Sequence, residues 1–358
     1  MKRKIIIRKY RKKIIRKKNK YYKKGKYHIN KFCKNIVKLI KIIIIIGISF
    51  LYYKINLYND EYKYCFECIK NIDNLDKKCY ECPNEIIFKD KYIVSTDNTL
   101  YELIKHNKSI SRFSDGEFAI IYGHGINFQE YNKILSQRLF EVLNSNEKNL
   151  LVGIDYTYQQ KKLNSYVDFE YNFWTRWMKS NKFRLLKILK RKKYYSSDIT
   201  RFYLKYKDKS GVPKFIKKFR TLWEGRDILI IEGEKSRIGI GNDLFKDTKS
   251  IKRILCPAKH AFRVYDKILN STLKIDKNYL ILIALGPTAS VLAYDLTKYG
   301  YQAIDLGHTD IQYEFYLRNA TKNINIPNKF VNEYNGGINV GNINDNNYFS
   351  QIIEKILY

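Results

Sequence analysis

Between residues 99 and 304, short apolar runs alternate with amphipathic stretches. Residues 110–113, 150–154, 199–204, 227–231, 251–256, 279–285 and 303–304 have the compact apolar pattern of buried strands. Residues 99–106, 131–143, 212–223, 259–269 and 289–299 have helical spacing, with Leu103 and Ile104 on one face of the first and Gly300 closing the last. Residues 166–178 also suit a helix but are crowded with aromatics, including Trp174 and Trp177. They read as a helix packed on the core or as a sugar-stacking face. Strands alternating with helices through short connections predict an α/β domain with a parallel sheet. Ligands of such sheets bind beyond the carboxyl ends of the strands, so the polar residues that follow each apolar run are the candidates for chemistry.

The densest of these sets is Ser111-Arg112-Phe113-Ser114-Asp115-Gly116-Glu117. Read as a turn, it lets Asp115 and Glu117 point at one spot across Gly116. Two carboxylates there would suit Mg²⁺ or Mn²⁺, which keep water and bind substrate phosphates. Arg112 could add a charge-assisted bond to the same phosphates. A plain surface turn would use the same residue types.

Residues 227–231 run into Glu232-Gly233-Glu234 and a loop carrying Arg237, Gly239, Gly241, Asn242 and Asp243. The loop has neither a dinucleotide fingerprint nor a Walker lysine, which argues against a P-loop ATPase. Gly286, Pro287 and Thr288 sit between a strand and a helix, where backbone N–H groups can hold an anion. Beyond 303–304 come Asp305, Gly307, His308 and Asp310, then Glu314. His308, Asp310, Glu314 and Glu232 are the acid–base candidates. Divalent-metal ligands, phosphate-cradling loops and a base together describe nucleotide-sugar transfer: the metal neutralises the departing diphosphate and the base activates an acceptor hydroxyl.

Charge changes the picture at one end only. The formal net charge is +33, no acidic residue precedes Asp60, and about half of the excess lies in the first 34 residues. Residues 1–35 read as a basic cytoplasmic tail. Residues 36–58 are strongly apolar and read as a single membrane anchor, with the tail staying cytoplasmic and the bulk of the chain on the lumenal or extracytoplasmic side. Residues 59–94 form a small module with Cys65-x-x-Cys68 and Cys79-x-x-Cys82. Four thiolates at that spacing can hold Zn²⁺, but in an oxidising compartment two disulfides are favoured. Asn107, Asn270 and Asn319 begin N-x-[ST] triplets, which fits a lumenal domain and also fits chance in an Asn-rich chain. Residues 95–358 form the main domain.

Three sets of residues resemble one known family. They are Arg112-Phe113-Ser114-Asp115-Gly116-Glu117; Glu232-Gly233-Glu234 with Arg237 to Phe245; and Gly286-Pro287-Thr288-Ala289 with Asp305 to Asp310. In that order they resemble the GT-D type glycosyltransferases, formerly a domain of unknown function numbered 1792, over roughly residues 95–335. The resemblance implies a Rossmann-like sheet with flanking helices, a UDP-sugar donor, a glycan or glycoprotein acceptor, and a metal on Asp115 and Glu117. It would place the nucleotide or its phosphates near Arg112, Arg237, Gly239, Asn242, Asp243, Gly286, Pro287 and Thr288. The family's Gly-Asp-Gly-Glu begins with Ser114 here. A rival reading is a basic, zinc-bearing nucleic-acid-binding protein using the tail and the cysteine pairs, which leaves the ordered strand-end motifs without a role.

Overall fold

The computed structural model describes residues 65, 67–71, 73, 78–82, 84–156 and 159–358. The basic tail and the apolar anchor segment lie outside the described residues, and among the described residues no helix is long and apolar enough to cross a membrane.

The core of the domain is one parallel sheet of nine strands. They are β1 (Tyr92–Ile93), β2 (Ser109–Phe113), β3 (Leu150–Ile154), β4 (Lys193–Ser196), β5 (Asp227–Gly233), β6 (Ser250–Cys256), β7 (Leu280–Ala284), β8 (Ala303–Asp305) and β9 (Ile352–Lys355). Their order across the sheet is β1-β4-β3-β2-β8-β7-β5-β6-β9. β5 and β7 are central because their Ile and Leu runs are buried on both faces, as parallel strands covered by helices require. The edges are protected: β1 has two residues and β9 carries Glu354 and Lys355.

Helices cover both faces. α1 (Thr96–Lys105), α5 (Val212–Arg220) and α8 (Thr309–Leu317) pack on one. α2 (Asp115–Ile121), α3 (Lys133–Leu143), α4 (Asp168–Ile188), α6 (Tyr265–Thr272) and α7 (Pro287–Lys298) pack on the other. Side-chain caps set several starts: Ser95 accepts from the Asn98 N–H at α1, and Asn132 from the Leu135 N–H at α3.

Three expectations are corrected. Residues 199–204 are not a strand; a short 3-10 turn spans Ser197–Thr200, and the strand is β4 just before it. Residues 259–269 are not one helix: a 3-10 turn, Ala261–Val264, leads into α6. The Zn²⁺ option at Cys65, Cys68, Cys79 and Cys82 also fails, because Cys65 is bonded to Cys82 and Cys68 to Cys79, which leaves no thiolates for a metal. The disulfide-bonded segment packs on the main domain. All four cysteines share a core cluster with Phe88, Met178, Phe183, Leu189 and Tyr194, and Lys182 Nζ donates to the Cys82 carbonyl at 2.7 Å.

Candidate functional site

β2 and β8 are neighbours whose following helices leave in opposite directions. α2 packs on the face shared with α7, and α8 on the face shared with α1 and α5. Such a divergence opens a crevice at the carboxyl ends of the strands, the place where open α/β sheets bind ligands.

The two strands share one ladder pair, Ile110 with Ile304, and side chains close the gap above it. Arg112 Nη2 meets Asp305 Oδ1 at 2.8 Å, Arg112 Nε donates to the Asp305 carbonyl at 2.6 Å, and the Arg112 N–H donates to Asp305 Oδ2 at 3.2 Å. The Ser290 hydroxyl of α7 lies 2.8 Å from the Arg112 carbonyl and 2.9 Å from Asp305 Oδ2. Arg112 therefore braces the crevice floor. Gly307 sits on it at φ +47°, where a Cβ would fall inside the guanidinium. Gly307→Ala is expected to displace Arg112 and to cost about 1–3 kcal/mol from the left-handed backbone alone, read as a lower urea midpoint.

Asp115 and Glu117 do not sit in a turn. Ser114 is the N-cap of α2, Asp115 is its first residue, and Glu117 reaches back so that its Oε2 accepts the Ser114 N–H at 2.9 Å. Asp115 is exposed, its hydrogen-bond contact is Ser114 Oγ at 3.1 Å, and it makes no ion pair among the described residues. Glu117 is partly buried. Burial, helped by the nearby Asp305 charge, pushes its carboxyl up to about 7 against the pull of the Ser114 N–H and Arg112. The first turn of α2 thus holds an exposed carboxylate with no ion pair among the described residues, followed two residues on by one that burial holds against ionisation.

Across the crevice lie Arg201, His308 and Glu333. His308 Nε2 is 2.8 Å from Glu333 Oε1, and Arg201 Nη2 is 3.0 Å from the same oxygen and 3.3 Å from His308 Nδ1. Arginine can only donate, so Nδ1 accepts and the ring proton sits on Nε2. Burial works against the Glu333 carboxylate, but the Arg201 charge and the hydrogen bond from His308 hold it well below the usual range. Burial works against the charge of Arg201, but Glu333, then Glu170 and Asp115, outweigh it and raise its guanidinium above the usual range.

The other polar candidates are locked into scaffolding. Glu232 is fully buried; it pairs with Arg253 Nη1 at 2.5 Å and accepts the Ile238 N–H at 2.7 Å, so it presents no base to a substrate. Asp310 accepts from the Gly239 N–H, Asn242 Nδ2 and Lys329 Nζ at 2.9, 2.8 and 2.6 Å. Glu314 accepts from Asn242 at 2.6 Å and pairs with Lys329 and Arg318. Burial opposes its charge, but Lys329 and Asn242 outweigh it and hold its carboxyl below the usual range. These bonds pin the 237–243 loop onto α8. Arg237 donates to the Asn328 and Gly341 carbonyls at 3.0 and 2.7 Å, so it clamps backbone. Asp243, held down to about 2 by the Tyr313 hydroxyl and Arg220, ties the loop to α8 and α5. Gly286 is the N-cap of α7, with Pro287 and Thr288 its first two residues; the Thr288 hydroxyl is buried without a partner.

At the ends of β3 and β4, Lys205 Nζ lies 2.5 Å from Asp155 Oδ2 and 2.9 Å from Asp198 Oδ1, and all three side chains are buried. Tyr166 and Trp174 lie within 4.4 and 5.4 Å of the ammonium. The aromatic segment is the start of α4: Trp174 is buried, and Trp177 is half-buried against Phe118 of α2.

Arg201, Glu333 and Lys205 carry no sequence signal of their own. Arg201 lies inside an apolar stretch that reads as a strand, and Glu333 lies in a loop without periodicity.

A family model described as the glycosyltransferase GT-D fold matches residues 110–334. A probable glycosyl transferase, Gly, of Streptococcus gordonii is 37% identical over 266 residues, covering 74% of this chain and 39% of the relative. The glycosyltransferase GlyD of Streptococcus pneumoniae serotype 4 (strain ATCC BAA-334 / TIGR4) is 34% identical over 284 residues, covering 79% of this chain and 34% of the relative. The chain therefore spans well under half the length of either. A solved structure described as domain of unknown function 1792 with a distinct glycosyltransferase fold superposes with a TM-score of 0.72 at 37% identity, covering 76% of this chain and 97% of that one. A glycosyltransferase of the same domain family from Streptococcus sanguinis gives 0.71 at 33% identity, covering 74% and 99%.

Proposed function

The chain belongs to the GT-D fold family of glycosyltransferases, and on that premise we propose that it moves a hexose, glucose or a relative, from a UDP-sugar to a glycan or glycoprotein acceptor with a divalent metal. The observation that carries this reading is the first turn of α2 at the β2/β8 crevice: an exposed Asp115 without an ion pair among the described residues, and a Glu117 that keeps one carboxylate oxygen beyond its bond to the Ser114 N–H. That donor set fits Mn²⁺ or Mg²⁺. Both ligands are hard oxygens, and two of them leave coordination positions for water and substrate phosphates, as these ions prefer. Asp115 and the second oxygen of Glu117 would hold the ion. Once bound, it would neutralise charge on the departing diphosphate. Arg201 is the cation placed to meet the same diphosphate.

His308 is the acid–base group of this reading. Glu232, Asp310 and Glu314 are left out of that role because their oxygens are spent on Arg253, Lys329, Arg318 and Asn242. The disulfides favour an oxidising compartment, which supports placing the domain outside the cytoplasm. The test is a screen of UDP-sugars with the full chain, with and without Mn²⁺. Metal-dependent release of UDP from one sugar nucleotide, raised by a glycan acceptor, is expected. Turnover indifferent to chelation would remove the metal.

A further inference from the structure

Both ring nitrogens of His308 are occupied: Nε2–H donates to Glu333, and Nδ1 accepts from Arg201. With Arg201 on Nδ1, the ring offers no open lone pair to an acceptor hydroxyl. We propose that the donor's diphosphate draws Arg201 off His308 Nδ1 and so switches His308 on as the base for the acceptor hydroxyl, with Glu333 as its positioning residue. This rests on the diphosphate reading above.

The geometry favours the exchange. The Arg201 side chain is 37% exposed, so it can rotate. Its bond to a neutral imidazole is the longest of the cluster at 3.3 Å, whereas its bond to Glu333 is charge-assisted at 3.0 Å. A diphosphate oxygen offers the guanidinium an anionic acceptor in place of a neutral one, and charge-assisted bonds are roughly twice as strong. Arg201 already lies within the field of Asp115, the end of the crevice where the diphosphate would sit.

With Arg201 gone from Nδ1, the ring presents a bare lone pair backed by a carboxylate, the base-and-orienter pairing of nucleophile-activating sites. The step then balances. The acceptor oxygen bonds to the anomeric carbon while its proton passes to Nδ1. The bond from that carbon to the diphosphate oxygen breaks, and its electron pair leaves with UDP. The imidazolium is neutralised by Glu333. Donor must bind before the base exists, which suppresses proton abstraction at an empty site. A single displacement of this kind inverts the anomeric centre.

The experiment uses the full chain in detergent with ¹⁵N-labelled histidine, the His308 ring signals being assigned by their loss in His308→Gln. Without nucleotide the ring should be the neutral Nε2–H form with a hydrogen-bonded Nδ1. UDP with Mg²⁺ should move the Nδ1 signal toward the unbonded position, and Arg201→Gln should sit there before UDP is added. Glu333→Ala should give mixed tautomers and lose about a hundredfold in transfer, within the usual range for acid–base groups. Glu333→Gln, which keeps an acceptor oxygen, should hold the tautomer and lose less. UDP that binds without moving Nδ1 overturns the switch and leaves the donor reading intact. A single tautomer in Glu333→Ala overturns the role of Glu333. No UDP binding at all in the presence of Mg²⁺ overturns both readings.

Discussion

Asp115→Ala is expected to lower the rate of sugar transfer by about a hundred- to a thousandfold, the usual loss when one preorganised charge-stabilising group is removed, and to leave the fold untouched. The reason is local. Among the described residues Asp115 is exposed, makes its hydrogen-bond contact with Ser114 Oγ and has no ion pair, so alanine breaks no ion pair among them and opens no cavity. A surface change of that kind shifts stability by no more than about 0.5 kcal/mol. Glu117→Ala makes the informative contrast. It also removes the acceptor of the Ser114 N–H at the start of α2, so its loss of activity should come with about 0.5–2 kcal/mol of lost stability. Rates with a matched donor, measured beside urea unfolding, separate the two. Full activity in Asp115→Ala would end the metal role of the pair.

The sheet was legible in the sequence wherever burial alone decides the pattern. β5 and β7 are apolar runs without alternation, which only a strand covered on both faces tolerates at that length. Reading failed where one residue served two masters. Ser114-Asp115-Gly116-Glu117 contains turn chemistry, but it is also Ser-x-x-Glu ahead of an apolar run, the signature of a capped helix start. The helix wins because Phe118 and Ile120 bury against α3 and β2 once the cap is made. Residues 199–204 are apolar, yet Asp198 is drawn back to Lys205, and that pairing curls the chain away from the sheet. The site was legible as a set of strand ends and not as a set of roles. Sequence spacing brings His308, Asp310 and Glu314 together, whereas burial sends the last two into contact with Lys329 and leaves His308 at the crevice. Glu333, its partner, arrives from a distant loop that no periodicity marks.

Lys205→Met should produce the largest loss of stability, about 3–5 kcal/mol, because removing one partner of a buried ion cluster leaves the others uncompensated. Two carboxylates face one ammonium here, with side-chain exposures of 6%, 1% and 5% for Asp155, Asp198 and Lys205. Burial, then the charge of Asp198, already raises the Asp155 carboxyl to about 7 although Lys205 pulls it down. The sign follows. A carboxyl raised above its unfolded value near 4 gives stability that is complete below that value and is lost as pH rises through about 7. Without Lys205 the opposing pull is gone and Asp155 rises further, so the variant should fall more steeply between pH 5.5 and pH 8 than the wild type. Asp155→Asn added to Lys205→Met removes one of the stranded charges. It should flatten that pH dependence and return part of the stability, since contacting residues are not additive. Urea unfolding of the three proteins at both pH values checks the claim, and equal losses at pH 5.5 and pH 8 would refute it. Function should follow stability. The cluster joins the ends of β3 and β4 to the turn that carries Arg201, so loosening it should weaken the affinity for UDP before it lowers the rate of the bound complex.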